Sequence, residues 1–376
     1  VGSEMCIRDR GNSLRNVIPS RVYDPEVGAE LYHRYLDEWA LCDELGLNIM
    51  VNAHHTTATC TTSVCTIPMA ILARETKTAR LLCLGMPIAN RMDAVRVAEE
   101  YAMIDVISRG RLEMGFVKGA PFEVSPANSN PATLVERFWE AHDLILKALT
   151  THDGPFNWEG QHFQYRQVNV WPRPYQQPHP PVWMTVASPG SAAEGGARGH
   201  VIASLNTGYL RTPEIFESYR KAATGAGKEA TKDRFAYLAI VGVGETDEEG
   251  KRRAHQILDY SRTTPRAAAQ FWFPPGYTAN EVTAQKLQNR GPLMIPFRDG
   301  GEFVMQTGKV DEFVNAGVAF AGNPDTVFKQ IKEFNHHVGG LGHLLMMGQG
   351  GHISHEDTVG NLTLFSQEVL PRLAAL

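Results

Sequence analysis

No uninterrupted apolar run in this sequence reaches spanning length, which excludes a transmembrane helix. Residues Val1–Arg10 contain no apolar h-region, so they are not a secretory signal; residues 1–22 are expected to be an artefactual or poorly ordered leader. Cysteine is scarce: Cys6, Cys42, Cys60, Cys65 and Cys83 form no C-x-x-C pair and lie mostly in apolar contexts, as reduced core thiols of a cytoplasmic protein do. A net charge of only -5 over 376 residues leaves no basic field for nucleic acid or an anionic membrane. What is present is 43% hydrophobic and 20% charged, enough for one large α/β domain or two smaller ones.

Apolar residues at Leu31, Tyr35, Trp39, Leu41, Cys42 and Leu45 mark an amphipathic helix over Glu30–Leu45, ended by Gly46. Strands are expected at Leu47–Asn52, Arg80–Met86, Leu112–Val117, Pro181–Val186, Val201–Ser204, Phe235–Val243 and Gly342–Met347, with helical patterns between them. Such β-then-α alternation with short turns predicts right-handed crossovers and a parallel sheet covered by helices. A closed eight-stranded barrel needs one more strand, ahead of Glu30, but residues 11–22 offer only Val17-Ile18 before Pro19. That first strand is expected to be very short or truncated. Two stretches break the rhythm. Thr151–Pro181, rich in Gly, Pro, Trp and Tyr, reads as a surface insertion with a hairpin, and the stretch from about Arg262 to Asn323 reads as irregular. The latter contains Phe271-Trp272-Phe273-Pro274-Pro275-Gly276-Tyr277, an aromatic density that points to an ordered lid or binding loop.

His54 and His55 close the first of these strands and open a threonine-rich loop, the position where parallel α/β sheets carry reactive groups. Imidazole titrates near the working pH, which suits His54 as a general acid or base; the competing role is a rim histidine bonded to a neighbouring loop. For His55 a structural role competes in the same way. Adjacent histidines converge poorly on one tetrahedral ion, and no acidic ligand is near in sequence, so no metal site is expected. Ala187-Ser188-Pro189-Gly190-Ser191 opens a helix directly after a strand. Its free N–H groups and macrodipole favour an anion, the Ser188 and Ser191 hydroxyls add donors, and Gly190 permits close approach. An ordinary serine N-cap accounts for one of the two serines. Lys118 ends the strand Leu112–Val117 as either a ligand-facing or a solvated cation. Asn52 and Asn90 are strand-end residues that suit hydrogen bonding to a ligand or turn formation. Asp105, Arg109 and Arg111 form a turn at the amino end of a strand, where stability is the expected role. His336, His337, His343, His352 and His355 straddle a predicted strand, so helix-capping roles are expected of them.

The histidine pair, the run Gly110-Arg111-Leu112-Glu113-Met114-Gly115-Phe116-Val117-Lys118-Gly119 and the Ala187–Ser191 turn occur in a telling order. With them stand Arg96-Val97-Ala98-Glu99-Glu100, Ile104-Asp105-Val106-Ile107-Ser108 and Pro180-Pro181-Val182-Trp183. In that order and spacing the sequence resembles the bacterial luciferase-like flavin monooxygenases over about residues 23–373. The resemblance implies an α/β chain of the (β/α)8 TIM-barrel type with insertions, residues 23–376 forming a single domain. It implies a homodimeric, cytoplasmic oxidoreductase that takes reduced FMN from a partner flavin reductase and uses O2 to oxygenate a small organic, apolar substrate. F420-dependent hydride transfer on the same barrel and a non-catalytic flavin-binding partner subunit are the alternatives. His54 is then the catalytic residue, with Ser188, Gly190, Ser191 and Lys118 toward the flavin phosphate. Asn52, Asn90 and His55 fall near the ring, and Gly85-Met86 forms a bulge beneath it. Family members commonly carry Glu immediately before the histidine pair, where this chain has Ala53.

Overall fold

Aliphatic runs flanked by turn residues become strands at the expected places in the computed structural model, which describes residues 14–263, 269–288 and 293–375. In chain order these are β1 (Ile49–Val51), β2 (Leu81–Pro87), β3 (Leu112–Val117), the hairpin strands β4 (Phe156–Glu159) and β5 (Gln164–Val168), then β6 (Val182–Val186), β7 (Val201–Leu205) and β8 (Phe235–Val243). The pair β9 (Met294–Pro296) and β10 (Glu302–Val304), then β11 (Ala319–Gly322) and β12 (His343–Met347), complete the set. The main sheet has eight strands in the order β1-β2-β3-β6-β7-β8-β11, with β12 also on β8. Its pairings are parallel, as a helix-covered (β/α)8 barrel sheet requires.

The eighth strand comes from an unexpected place. Among the described residues no strand precedes β1; instead Ala319–Gly322 joins the sheet from inside the stretch expected to be irregular. Strand β8 is nine residues long and buried throughout. Its Ala236–Ile240 part pairs with β12, and Ile240–Val243 pairs with β11. Four residues are too few to display a period, so only the long partner reveals β11 as a strand. The same stretch also holds the short helices Ala269–Trp272 and Asn280–Gln288 and the antiparallel β9–β10 pair. The expected hairpin is present as antiparallel β4–β5.

The described residues within Val1–Ala40, Asn48–Val182 and Thr264–Arg290 make one compact unit. Its helices include α1 (Pro25–Glu44), α2 (Thr66–Glu75), α3 (Ala94–Ile107) and α4 (Leu134–Thr150). Helix α3 starts on Asp93, whose side chain accepts from the Arg96 N–H, and α1 is followed by Gly46 at φ +70. Strands β2 and β3 approach closely because Gly115 lacks a side chain: a Cβ there would lie 2.3 Å from the Cys83 carbonyl oxygen. At the amino end of β3, Arg111 donates to the carbonyls of Ala73, Thr76 and Ala79, tying the end of α2 to the strand. Asp105 accepts from both the backbone and the side-chain amide of Gln176 at 2.8 Å. These two side chains brace the end of the sheet remote from the histidine pair, the stability role expected of them.

The second unit comprises the described residues within Leu41–Leu47, Trp183–Thr263 and Gly291–Leu376. It contains α5 (Pro189–Arg198), α6 (Gly208–Gly225), α7 (Asp247–Thr263), α10 (Val310–Asn315), α11 (Pro324–His337) and α12 (His355–Leu364), counting Ala269–Trp272 as α8 and Asn280–Gln288 as α9. One core packs Phe216, Tyr219, Phe235, Tyr237, Phe320 and Phe334; another packs Ile257, Leu258, Phe303 and Phe313 beside β11. His337 and His343 bond the carbonyls of Tyr209 and Asp233 through Nε2, which are structural duties. Among the described residues, no helix is long and apolar enough to cross a membrane and no cluster of three or more metal-ligating side chains occurs. Cys42, Cys60, Cys65 and Cys83 are unbridged.

Candidate active site

Three loops at the carboxyl ends of β1, β2 and β3 build the site of the first unit. After β1 the chain passes exposed Asn52 and buried Ala53 to His54, whose N–H donates to the Thr62 carbonyl and closes the threonine loop on itself. After β3 it passes Lys118 and Gly119 into the turn Pro121–Glu123. Glu123 is 2% exposed. Its Oε1 lies 3.1 Å from His54 Nδ1 and accepts from the His55 N–H at 2.7 Å, while Oε2 accepts from the Ala120 N–H at 2.7 Å. Burial alone would push this carboxyl up, but the hydrogen bonds from His54, His55 and Ala120 outweigh it and hold the pKa below the usual value. The carboxylate beside His54 thus comes from 69 residues along the chain. Nothing local in the sequence signals it.

Aromatic rings wall this pair. Phe122 lies 6.1 Å from the His54 ring and takes the edge of Trp272 at 5.4 Å. Arg15 stacks over Phe122 at 4.4 Å, and Asn16 donates to the Phe122 and Thr56 carbonyls. Tyr277 donates its hydroxyl to the Gly119 carbonyl at 2.7 Å, and Lys118 Nζ sits 3.7 Å over the Tyr277 ring. Both ends of the aromatic segment Phe271–Tyr277 are therefore docked on the loop after β3. Burial raises the Tyr277 hydroxyl pKa, keeping it protonated.

Among the described residues, buried polar atoms of Asn16 (Oδ1), Asn90 and His55 here lack hydrogen-bond partners. Asn90, after β2, is 9% exposed, and neither Oδ1 nor Nδ2 has a hydrogen-bond partner among the described residues. A Cβ on Gly119 would stand 2.5 Å from Asn90 Nδ2, so glycine is what lets the amide sit there. His55 Nε2 is also buried without a partner, and burial, only partly offset by Glu123, lowers its pKa. Below the loops, Met86 is 2% exposed in β2. The Leu84-Gly85 peptide is cis, and the β2–β3 register shifts between Cys83 and Met86, so the expected bulge is present.

The predicted anion turn belongs to the other unit. Ser188 caps α5 and its hydroxyl accepts from the Ser191 N–H; the Ser191 hydroxyl lies 2.9 Å from the Ser188 carbonyl and 3.1 Å from the Ser188 hydroxyl. Both serines thus serve the cap, one more than an ordinary N-cap uses. A Cβ on Gly190 would meet nothing within 4 Å, so the approach to the turn is open. Arg211 holds the Ala187 carbonyl beside it at 3.0 Å.

A parallel barrel sheet whose strand-end loops carry a carboxylate-bound histidine and unpaired buried polar groups is the framework of a ligand-binding enzyme. The profile of the luciferase-like monooxygenases matches residues 16–341, and the chain belongs to that family. It is 28% identical over 244 residues to the oxygenase component of a flavin-dependent trigonelline monooxygenase from Acinetobacter baylyi, covering 63% of this chain and 66% of that protein. It is 24% identical over 320 residues to an F420-dependent glucose-6-phosphate dehydrogenase from Amycolatopsis mediterranei, covering 82% and 83%. Among solved structures, the oxygenating constituent of 3,6-diketocamphane monooxygenase from Pseudomonas putida, in complex with FMN, superposes with a TM-score of 0.72 at 19% identity over 96% of this chain and 98% of that one. Monooxygenase RslO1 from Streptomyces bottropensis gives 0.73 at 20% identity over 96% and 99%. These two likenesses concern the fold. The relatives are oxidoreductases, some flavin-dependent and some F420-dependent.

Proposed function

We propose that the protein is an FMN-dependent monooxygenase that receives reduced flavin from a separate reductase and oxygenates a small, apolar organic substrate. The observation carrying this reading is Asn90. A buried amide with both polar atoms unpaired costs about 1–3 kcal/mol per group, and a ligand edge with a donor beside an acceptor, as on the pyrimidine half of a flavin, removes that cost. His55 Nε2 offers a second unpaired group of the same kind. Bound reduced FMN would supply the two electrons that let O2 deliver one atom to the substrate and the other to water.

The remaining roles belong to the chain itself. Asn90 and His55 bind the ring edge, with Asn52 at its margin; Met86 and the bulge at Gly85-Met86 support the ring. Lys118 contributes positive charge. In the second unit, Ser188, Gly190 and Ser191 form an open, hydroxyl-bearing helix start whose chemistry suits a phosphate. His54 exchanges a proton with the reactants. Phe122 and Trp272 exclude water while the oxidant persists. The active protein is a homodimer in the cytoplasm, with the exposed apolar side chains Ile67 on α2 and Met103 on α3, 61% and 51% exposed, as the paired surface.

The second reading is F420-dependent hydride transfer, favoured by the relative that aligns over 82% of the chain. Anaerobic titration with reduced FMN, followed by rapid mixing with oxygen, separates the two. Tight binding and a transient absorbance distinct from both reduced and oxidised flavin are expected. Absence of FMN binding overturns the proposal, and binding of F420 in its place establishes the rival.

A further inference from the structure

We propose that Glu123 is the positioning residue for His54: by accepting a hydrogen bond from Nδ1–H it fixes one imidazole tautomer and makes Nε2 the atom that exchanges protons in the site. The identity of the reactants rests on the flavin reading above; the tautomer does not.

The geometry allows little else. An ionised carboxylate accepts hydrogen bonds and cannot donate them, so a neutral His54 whose Nδ1 is 3.1 Å from Glu123 Oε1 must carry its proton on Nδ1. Glu123 is kept ionised by donors that have no other position: the His55 and Ala120 N–H groups are fixed by the two loops they belong to. The remaining charged and titratable neighbours come from every packed element. They include His55 and Cys60 on the loop after β1, Arg91 after β2, Arg15 at the amino-terminal turn and Tyr277 on the aromatic segment. His54 Nε2 has no hydrogen-bond partner among the described residues, and the side chain is 32% exposed. Ala53 is buried and carries no acid. A carboxylate from the loop after β3 therefore takes over the orienting task, and it reaches the imidazole across the one intervening strand, β2. The same carboxylate bonds the His55 backbone, so one side chain orders the whole pair.

A free imidazole side chain favours the opposite tautomer, with the proton on Nε2, which makes the inference directly observable. Two-bond 1H–15N correlation spectra of the unliganded, 15N-labelled protein near pH 8 report the ring protonation, and loss of the signal in His54→Ala assigns it. The expected wild-type spectrum has His54 protonated on Nδ1. In Glu123→Gln and Glu123→Ala the ratio of the two tautomers moves toward Nε2–H by a factor on the order of ten or more. A wild-type His54 carrying its proton on Nε2 overturns the proposal even if neither variant folds. So does an unchanged ratio in a folded variant. In turnover, Glu123→Gln is expected to lower kcat on the order of 10²-fold with reduced-FMN affinity changed only a few-fold. A shifted tautomer with unchanged kcat shows that this positioning does not serve turnover and overturns that part of the proposal. Failure of the wild-type protein to bind reduced FMN overturns the flavin reading alone, because the tautomer is read without ligand.

Discussion

His54→Ala is expected to lower turnover by about 10²- to 10⁴-fold, the usual contribution of a positioned acid or base, while reduced-FMN binding stays within a few-fold. Single-turnover oxidation of bound reduced flavin, with product measured alongside flavin absorbance, checks this; unchanged product yield would assign the proton transfer elsewhere. The expectation follows from separate anchoring. His54 bonds Glu123, whereas the atoms proposed to meet the flavin are on Asn90 and His55, unpaired among the described residues. The histidine pair itself was legible in the sequence, because an apolar run ending in two histidines is a local pattern. Its partner was not. Glu123 lies 69 residues from His54, and only the parallel pairing of β1, β2 and β3 brings the two loops together.

At the scale of elements, α7 and α12 are joined through Asp357, which accepts from both Arg252 nitrogens at 2.7 and 2.6 Å and from Arg253 Nε at 3.1 Å. The Arg252 guanidinium, helped by Arg253, holds the Asp357 carboxyl at about 2, against an ordinary 3.8. A carboxylate whose pKa is depressed by folding adds stability above its unfolded value and loses it as pH falls through the folded one. The urea midpoint of the wild type should therefore exceed that of Asp357→Asn by a constant margin above about pH 5, with the margin closing between about pH 4 and 2. A margin independent of pH would mean that the aspartate acts only by shape. The elements themselves were largely readable from their hydrophobic patterns, and β3 and β8 match their expected limits. Strand β11 was not readable, since Ala-Phe-Ala-Gly has no periodicity and becomes a strand by lying along the second half of β8.

For the whole molecule, sedimentation should give about twice the 41.6 kDa chain mass, and Ile67→Glu should yield a folded monomer, because a buried unpaired charge costs several kcal/mol at an apolar interface. A wild-type monomer across micromolar concentrations would rule out the dimer. The alternation of strand and helix and the strand-end position of His54 and Asn90 followed from the sequence alone. These depend on residue order and on periods of two and 3.6 that any stretch carries within itself. Tertiary structure alone decided that Glu123 meets His54 and the His55 N–H, that Asn90 has both polar atoms unpaired among the described residues, and that Trp272 packs on Phe122 beside His54. Each of these is a contact between loops far apart in the chain, and such contacts depend on how the strands pair, which no local pattern contains.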